Sequence, residues 1–518
     1  MPLRSGVVAP LAVVLVTALL ASPILAQCEL DRESFDDTGT FGTFVPGDPL
    51  ALSADGSTLV VAAENDDELG LSAGAVYVLA RSGDDWAVET KLTAPDAGTN
   101  DQFGRSAALS ADGGTLLVGA WLVDDDGTDA GAAYVYSRNG SSWSLVTKLR
   151  AFALEARDNF GITVALSASG DVALIGAPDS NLGNDTGGAA YVFNRVGNEW
   201  VESARLTAPD AEEGARFGQS VDLSDDGTIA LIGADVASLA YVFETQSLGS
   251  WGFAQRLESG GFPSSFGFTV SLSGDGRAAA VGAPFTFHEE GVGSVFVFRR
   301  DEGPFDLEVE LRDPESGIES SFGFGIDLAT DGDVLLVGQV LTFDRTSPGS
   351  AFVFTRNSGV WSRSQALHAG DPYALLTYGN RVAISSDGRV AVVGSQIGVD
   401  PRIAHVYSLS ELCPVLVQLP PNPGRAGQVN TLSATWPIAG DRVTFLGARD
   451  IGSTPVPGCP GVDVALEAPV LLGEGVATDR GGVTIEIDIP GAFEGERVQI
   501  QAISRDRCVV SEPIEALL

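Results

Sequence analysis

Apolar and polar positions in this chain follow one short pattern. From residue 103 it runs Phe-Gly, then the alternating segment RSAALS, then a turn containing Asp-Gly. A nearly all-apolar run follows, TLLVGA, then a polar loop and a third apolar segment, GAAYVYSR (131–138). The turn NGSS leads to a fourth segment opened by tryptophan, WSLVTKL (143–149). Alternation predicts a strand with one buried face; an unbroken short apolar run predicts one covered on both faces. The short Asp-Gly turn between the first two segments is a hairpin signal. The unit is therefore four short antiparallel strands.

That unit returns. The copies read DNFGITVALSASGDVALIGAP (158–178), ARFGQSVDLSDDGTIALIGAD (215–235), SSFGFTVSLSGDGRAAAVGAP (264–284) and SSFGFGIDLATDGDVLLVGQV (320–340). LTYGNRVAISSDGRVAVVGSQ (376–396) and VPGDPLALSADGSTLVVAAEN (45–65) are weaker copies. The phenylalanine positions fall at 46 (a proline), 103, 160, 217, 266, 322 and 378, spaced 57, 57, 57, 49, 56 and 56 residues. Regular spacing of this length marks a repeat architecture. Seven units of four strands predict an all-β fold, a seven-bladed β-propeller with four-stranded antiparallel blades. The tryptophans opening the fourth strands (Trp86, Trp143, Trp200, Trp251, Trp361) read as blade-packing anchors.

The seventh unit lacks a fourth strand, which would leave a sheet edge open. Elsewhere the last leucine of strand four precedes the next phenylalanine position by 11 residues, as in Leu92 to Phe103; eleven before Pro46 is Phe35. The segment CELDRESF (28–35) is thus expected to complete the last blade. In the same register Cys28 and Cys413 both fall one residue before the tryptophan position. Of the three pairings that four cysteines allow, this register favours Cys28–Cys413 with Cys459–Cys508.

Three segments follow from these boundaries. Residues 1–26 read as a signal peptide, with Arg4, the apolar run 7–20 and the small residue Ala26 before the cut. Residues 27–413 form the propeller. Residues 414–518, β-branched runs between Pro/Gly turns, predict a small β-sandwich. The mature chain has no further run of 18 apolar residues, so it is expected to be exported, secreted or at the cell surface, without a transmembrane segment. Its net charge of −39 argues against nucleic acid and anionic lipid as partners and fits basic partners or divalent cations. A monomer is expected.

The Phe-Gly openings and the Gly-Ala-Pro at 176–178 and 282–284 resemble the FG-GAP repeats of integrin α-subunit propellers. The chain is still more similar to bacterial secreted FG-GAP repeat proteins with GAAYVF…W…KLTAPD units, over about 46–412. The tail resembles a C-terminal module of exported planctomycete and myxobacterial-type proteins, which implies surface attachment or sorting. Integrin-type repeats carry calcium in the loop between strands one and two. Here those loops (SADGG, SASGD, SDDGT, SGDGR, ATDGD, SSDGR) hold one or two acids, too few oxygens for a calcium site.

In a propeller the 2–3 and 4–1 loops share one face. Here those loops are the long, variable and acidic ones, including 64–74, 121–131, 178–188, 93–101 and 207–215. That face is the candidate interaction surface. Its one metal candidate is a calcium loop formed by Asp124, Asp126 and Asp129 around Gly127; no other cofactor is expected. Catalysis finds little support: His288, His368 and His405 lie in different units, and no GxSxG or HExxH stretch is present. The sequence thus reads as a non-catalytic binding, adhesion or scaffold protein for an extracellular protein or surface glycan. The alternative is an extracellular propeller hydrolase acting on glycans, which should gather acids and aromatics at the central channel. Inner strands such as VALSA and SVDLS favour the scaffold.

Overall fold

The computed structural model describes residues 32–34 and 50–409, apart from 83–84, 182–186, 211, 247–248, 261–264, 288–291, 314–319, 342–348, 368–377 and 395–403; beyond these it describes the backbone of strands between 415 and 517. All regular structure among the described residues is β. Repeat two shows the plan. Phe103–Leu109, Thr115–Ala120, Ala132–Asn139 and Ser142–Leu149 pair in that order, each antiparallel to the last. The second strand is buried along nearly its whole length and the fourth is mostly exposed, as its alternating polar residues require.

Five such four-stranded antiparallel sheets stand alone, formed by repeats one to four and repeat seven. This corrects the expectation of seven separate blades. Repeats five and six run together in one eight-stranded sheet, through a single parallel pairing of Gly293 with Phe322. The physical reason is a contact made at other junctions too. The glycine ending each 2–3 loop bridges the next repeat's phenylalanine, as in Gly74–Phe103, Gly131–Phe160 and Gly188–Phe217. At Gly293–Phe322 the flanking strands Val292–Arg299 and Ser320–Leu328 both reach the bridge, so it joins two ladders.

The last sheet is completed as the register argument requires. Arg32–Ser34 pairs antiparallel with His405–Ser408, placing Arg32 opposite Tyr407 and Ser34 opposite His405. The four cysteines lie outside the described residues, as does the segment assigned to the signal peptide. In the tail, Val415–Val417, Asn430–Thr435 and Gly482–Ile487 form a three-stranded sheet. Val470–Val476, Arg442–Ala448, Arg497–Ser504, Val509–Val510 and Ile514–Leu517 form a five-stranded one.

Neighbouring repeats are joined by three devices. The first is the Phe-Gly phenylalanine, fully buried in repeats two to six and, in repeats two to five, set edge-on against two third-strand aromatics. Phe217, for example, lies 5.4 Å from Tyr241 and 5.8 Å from Phe243 between ring centroids. The second is a glycine-on-glycine contact. A Cβ on Gly176 would lie 2.1 Å from the carbonyl oxygen of Gly218, and one on Gly119 would lie 1.9 Å from that of Gly161. The Gly-Ala glycine of one repeat therefore carries the Phe-Gly glycine of the next directly against its backbone. This gives both glycines of the repeat signature a mechanical reason.

The third device lies in the 1–2 turns. Ala54 donates its amide to Ala111 O, Ala111 to Ala168, Ala168 to Asp225 and Asp225 to Gly274; Asp275 then donates to Thr330, Thr330 to Ser386, and Ser386 back to Ala54, at 2.9–3.2 Å. The belt closes on itself. In the turns of repeats one, two, four, five and seven a serine and an aspartate lock the loop; in repeat two Ser110 Oγ donates to Asp112 Oδ1 at 2.6 Å, and the Gly114 amide donates to the same oxygen at 2.8 Å. These bonds hold the Asp112 carboxyl below the usual range. The turn acids thus act as turn staples.

The outer edges are protected in a regular way. In repeats one to six the pairing of strands three and four slips by one residue at an equivalent position, as between Val135 and Tyr136. Such bulges twist an exposed edge away from pairing with another chain. The tryptophans opening the fourth strands pack partly buried against the blade cores.

Candidate interaction face

The long loops do share one side. The 2–3 loop of repeat one is zipped to the 4–1 loop that follows it: the amides of Asn100, Gln102 and Phe103 donate to the carbonyls of Leu71, Ser72 and Ala73 at 2.8–3.1 Å. Repeat two copies this, with Arg157, Asn159 and Phe160 donating to Thr128, Asp129 and Ala130. Asn100, Gln102, Arg157, Asn159 and Arg216 take positive φ in these loops. The chain there is bent to fit the bond pattern, so the loops form a built surface.

Cations at the ends of the fourth strands hold the loop acids. Lys148 bonds Asp96 at 2.7 Å and Asp125 at 2.6 Å, while the Tyr134 hydroxyl donates to Asp96 at 2.9 Å. Burial pushes the Asp96 carboxyl up, but the bonds from Lys148 and Tyr134 outweigh it and hold the carboxyl below its ordinary range. Tyr241, Asp210 and Arg256 repeat the arrangement in repeat four. In repeat one, Lys91 bonds Asp66 at 2.8 Å and Glu68 at 2.5 Å. The signal for this tyrosine–acid–cation set in the sequence is the recurring TAPD and KL segments, each of which alone marks only a loop or a strand end.

Repeat three lacks the acid. Ala153 stands where Asp96 and Asp210 stand, and the fully buried Tyr191 hydroxyl has no hydrogen-bond partner among the described residues. An unpaired buried hydroxyl costs about 1–3 kcal/mol. Ala153→Asp is therefore expected to raise stability by about 1 kcal/mol, read as an upward shift of the thermal midpoint. No shift would mean that the new carboxylate fails to reach Tyr191.

The candidate calcium loop is held by its own backbone and by a neighbouring cation. Asp124 Oδ1 accepts the Asp129 amide at 2.9 Å, and Asp129 has φ of 58°. Asp126 pairs with Arg150 at 3.2 Å. Asp124, Asp126 and Asp129 thus share one loop, but Asp124 serves its backbone and Asp126 a neighbouring cation. Among the described residues no group of three or more His, Cys, Asp or Glu is gathered to hold a metal ion. Of the histidines, His405 is fully buried on the last sheet, 5.4 Å from the Tyr378 ring; His288 and His368 lie outside the described residues.

The face also carries exposed apolar side chains. Leu69 and Leu71, Phe152 and Val236 stand on its loops, Phe152 at 98% exposure, and the exposed Phe287 ends the second strand of repeat five. Phe268, Phe285 and Phe324 cluster where the first strands begin, with ring centroids 4.9–6.3 Å apart. On the turn side, a cleft of about 510 Å³ between repeats four and five is lined by Thr228, Glu244, Gln255 and Arg300. There Glu244 and Arg300 bond each other.

One expectation about the inner strands is corrected. Charge is not confined to the rim loops, because Asp222 and Asp327 lie on first strands, at Phe217–Leu223 and Ser320–Leu328. The D in SVDLS and GIDLA was the available signal.

The family model described as an FG-GAP repeat matches residues 86–136, 143–193 and 200–243. No curated protein matches the sequence. Among solved structures, hydrazine synthase of Kuenenia stuttgartiensis is similar at 14% identity and a TM-score of 0.47, covering 71% of this chain and 98% of that one. The periplasmic gluconolactonase of Pseudomonas aeruginosa is similar at 19% identity and 0.43, covering 62% and 86%. Sqt1 of Chaetomium thermophilum is similar at 15% and 0.43, covering 92% and 97%. Likeness at this level transfers neither activity nor ligand.

Proposed function

We propose that this chain, an FG-GAP repeat β-propeller protein, is an exported binding or scaffold protein that presents its acidic loop face to an extracellular protein or surface glycan. In this reading the ring has seven blades, the eight-stranded sheet counting as two; the closed belt of 1–2 turns supports that count. The tail is taken as a β-sandwich built from its two larger sheets. The face works without catalysis. The observation that carries this reading is the concentration of long loops, acids and exposed apolar side chains on one zipped, ion-paired surface. Rigid loops with apolar anchors among charges are the usual make-up of a recognition surface. Among the described residues no helix is long and apolar enough to cross a membrane.

The hydrolase reading has one support, the two carboxylates on the inner strands. Each of them accepts an amide from the neighbouring inner strand, which commits it to holding the ring.

The test is binding of the full chain to a panel of extracellular glycans and basic proteins. A Phe152→Ser, Phe287→Ser variant is expected to lose about tenfold in affinity for the ligand found, in line with removal of anchor residues. Product release from any glycan, abolished by Asp222→Asn, would overturn the binding reading in favour of hydrolysis.

A further inference from the structure

Five residues after each phenylalanine position, the seven first strands carry Ala51, Ala108, Ala165, Asp222, Ser271, Asp327 and Ala383. Polar residues thus occupy three consecutive repeats, four to six, and methyl groups fill the other four positions. Each polar side chain reaches the next first strand. Asp222 Oδ2 accepts the Leu272 amide at 2.7 Å, Ser271 Oγ accepts the Leu328 amide at 3.0 Å, and Asp327 Oδ2 accepts the Ile384 amide at 2.7 Å. The three also meet one another. The Ser271 hydroxyl donates to Asp327 Oδ1 at 3.4 Å and also interacts with the Asp222 carboxylate.

One hydroxyl has one proton. With both acids ionised, Ser271 can serve only one of them, and two like charges press on the same junctions. With a proton on one acid the row is satisfied throughout: that acid donates to Ser271 Oγ, which has a second lone pair beside the Leu328 bond, and the Ser271 proton goes to the other carboxylate. We propose that Asp222, Ser271 and Asp327 form a proton-operated clasp on the inner edge of repeats four to seven, closed by one proton and loosened when both acids are charged.

Burial, and then the Asp222 charge, push Asp327 up to about 7; burial, and then Asp225, push Asp222 up to about 6. Both values lie above the ordinary carboxylate value of about 3.9. Between about pH 4 and 7 the folded ring therefore holds more protons than the unfolded chain, so acidification favours it and rising pH works against it. The surroundings offer little compensation. The first strands Val164–Leu166 and Thr269–Leu272, and the second strands Val172–Ala177, Ile229–Ala234, Ala278–Phe287 and Val334–Leu341, carry no ionisable side chain. Ala189–Val196 carries Tyr191 and Arg195, the latter 3.7 Å from Asp171. Val292–Arg299 carries Arg299, bonded to Asp333. Arg381–Ile384 carries Arg381, and the turns carry Asp225, Asp226, Asp275, Asp331, Asp333 and Asp387 with the cations Arg277 and Arg389, the latter 3.8 Å from Asp387.

Amide hydrogen exchange on the full chain, corrected for the intrinsic effect of pH, tests the clasp. Protection of Leu272, Leu328 and Ile384 is expected to fall about tenfold between pH 5.5 and 8, one pKa unit being worth a factor of ten. Leu109 and Leu166, at the same register in the alanine-lined arc, should stay flat. In Asp222→Asn, Asp327→Asn the pH response should vanish. An equal response in both arcs of the unaltered protein would overturn the clasp, and that comparison stands whether or not the variant folds. Persistence of the response in the folded variant would overturn it as well.

Discussion

Gly176→Val should remove a large part of the protein's thermal stability, although valine is a better strand former than glycine. Gly176 lies in the buried second strand Val172–Ala177, opposite Ala190. Its backbone has no left-handed φ that would by itself demand glycine. The whole effect comes from space. A Cβ there would meet the Gly218 carbonyl oxygen at 2.1 Å and the Thr163 methyl at 2.5 Å. The first neighbour is backbone, so relief requires repeats three and four to move apart, uncovering the core on both sides. Overpacking of a close-packed interior costs about 1–3 kcal/mol and more when backbone must shift. A loss of about 4 kcal/mol is expected, a large part of the usual 5–15 kcal/mol, read by thermal melting. A variant melting within a degree or two of the parent would show that the two glycines do not set the distance between repeats.

Phe217→Ala is expected to cost about 3–5 kcal/mol, the range for truncating a fully buried phenylalanine. The ring fills the space between repeats three and four. It packs with Ala190, Val192 and Leu206 of one and with Tyr241 and Phe243 of the other. Phe217→Tyr distinguishes packing from polarity. In repeat seven a tyrosine does occupy this position, and the Tyr378 hydroxyl bonds the hydroxyl of Tyr407. In repeat four Phe243 stands at the Tyr407 position, so a new hydroxyl would have no such partner and should cost about 1–3 kcal/mol. Phe217→Tyr, Phe243→Tyr should recover part of that loss, measured by the same melting experiment. Failure to recover it would mean that the two repeats differ in more than this pair.

Much of the ring was legible because its determinants are local and repeated. The Asp-Gly turns, the all-apolar second strands and the Phe-Gly openings each announce one element, and their spacing orders those elements. The strand closing the last sheet could be found by counting 11 residues back, because register is a property of spacing. What escaped had a different physical origin. The pairing of Gly293 with Phe322, which joins two sheets into one, depends on how far two strands extend. Asp222 and Asp327 each read as one more polar residue of an alternating strand, and their significance appears only when three neighbouring strands are laid side by side. At 124–129 the sequence shows the carboxylates but not Lys148 and Arg150 folding back onto Asp125 and Asp126.

The belt of amide-to-carbonyl bonds through the 1–2 turns has one more implication. Its final link, from Ser386 to Ala54, is built like the others, so on the turn side the junction of the last repeat with the first does not differ from any other junction. A circularly permuted gene opened at any long loop would encode the same closed object. Duplication or deletion of a whole repeat would instead leave the circumference wrong by one sector, so change within such a protein is channelled into its loops.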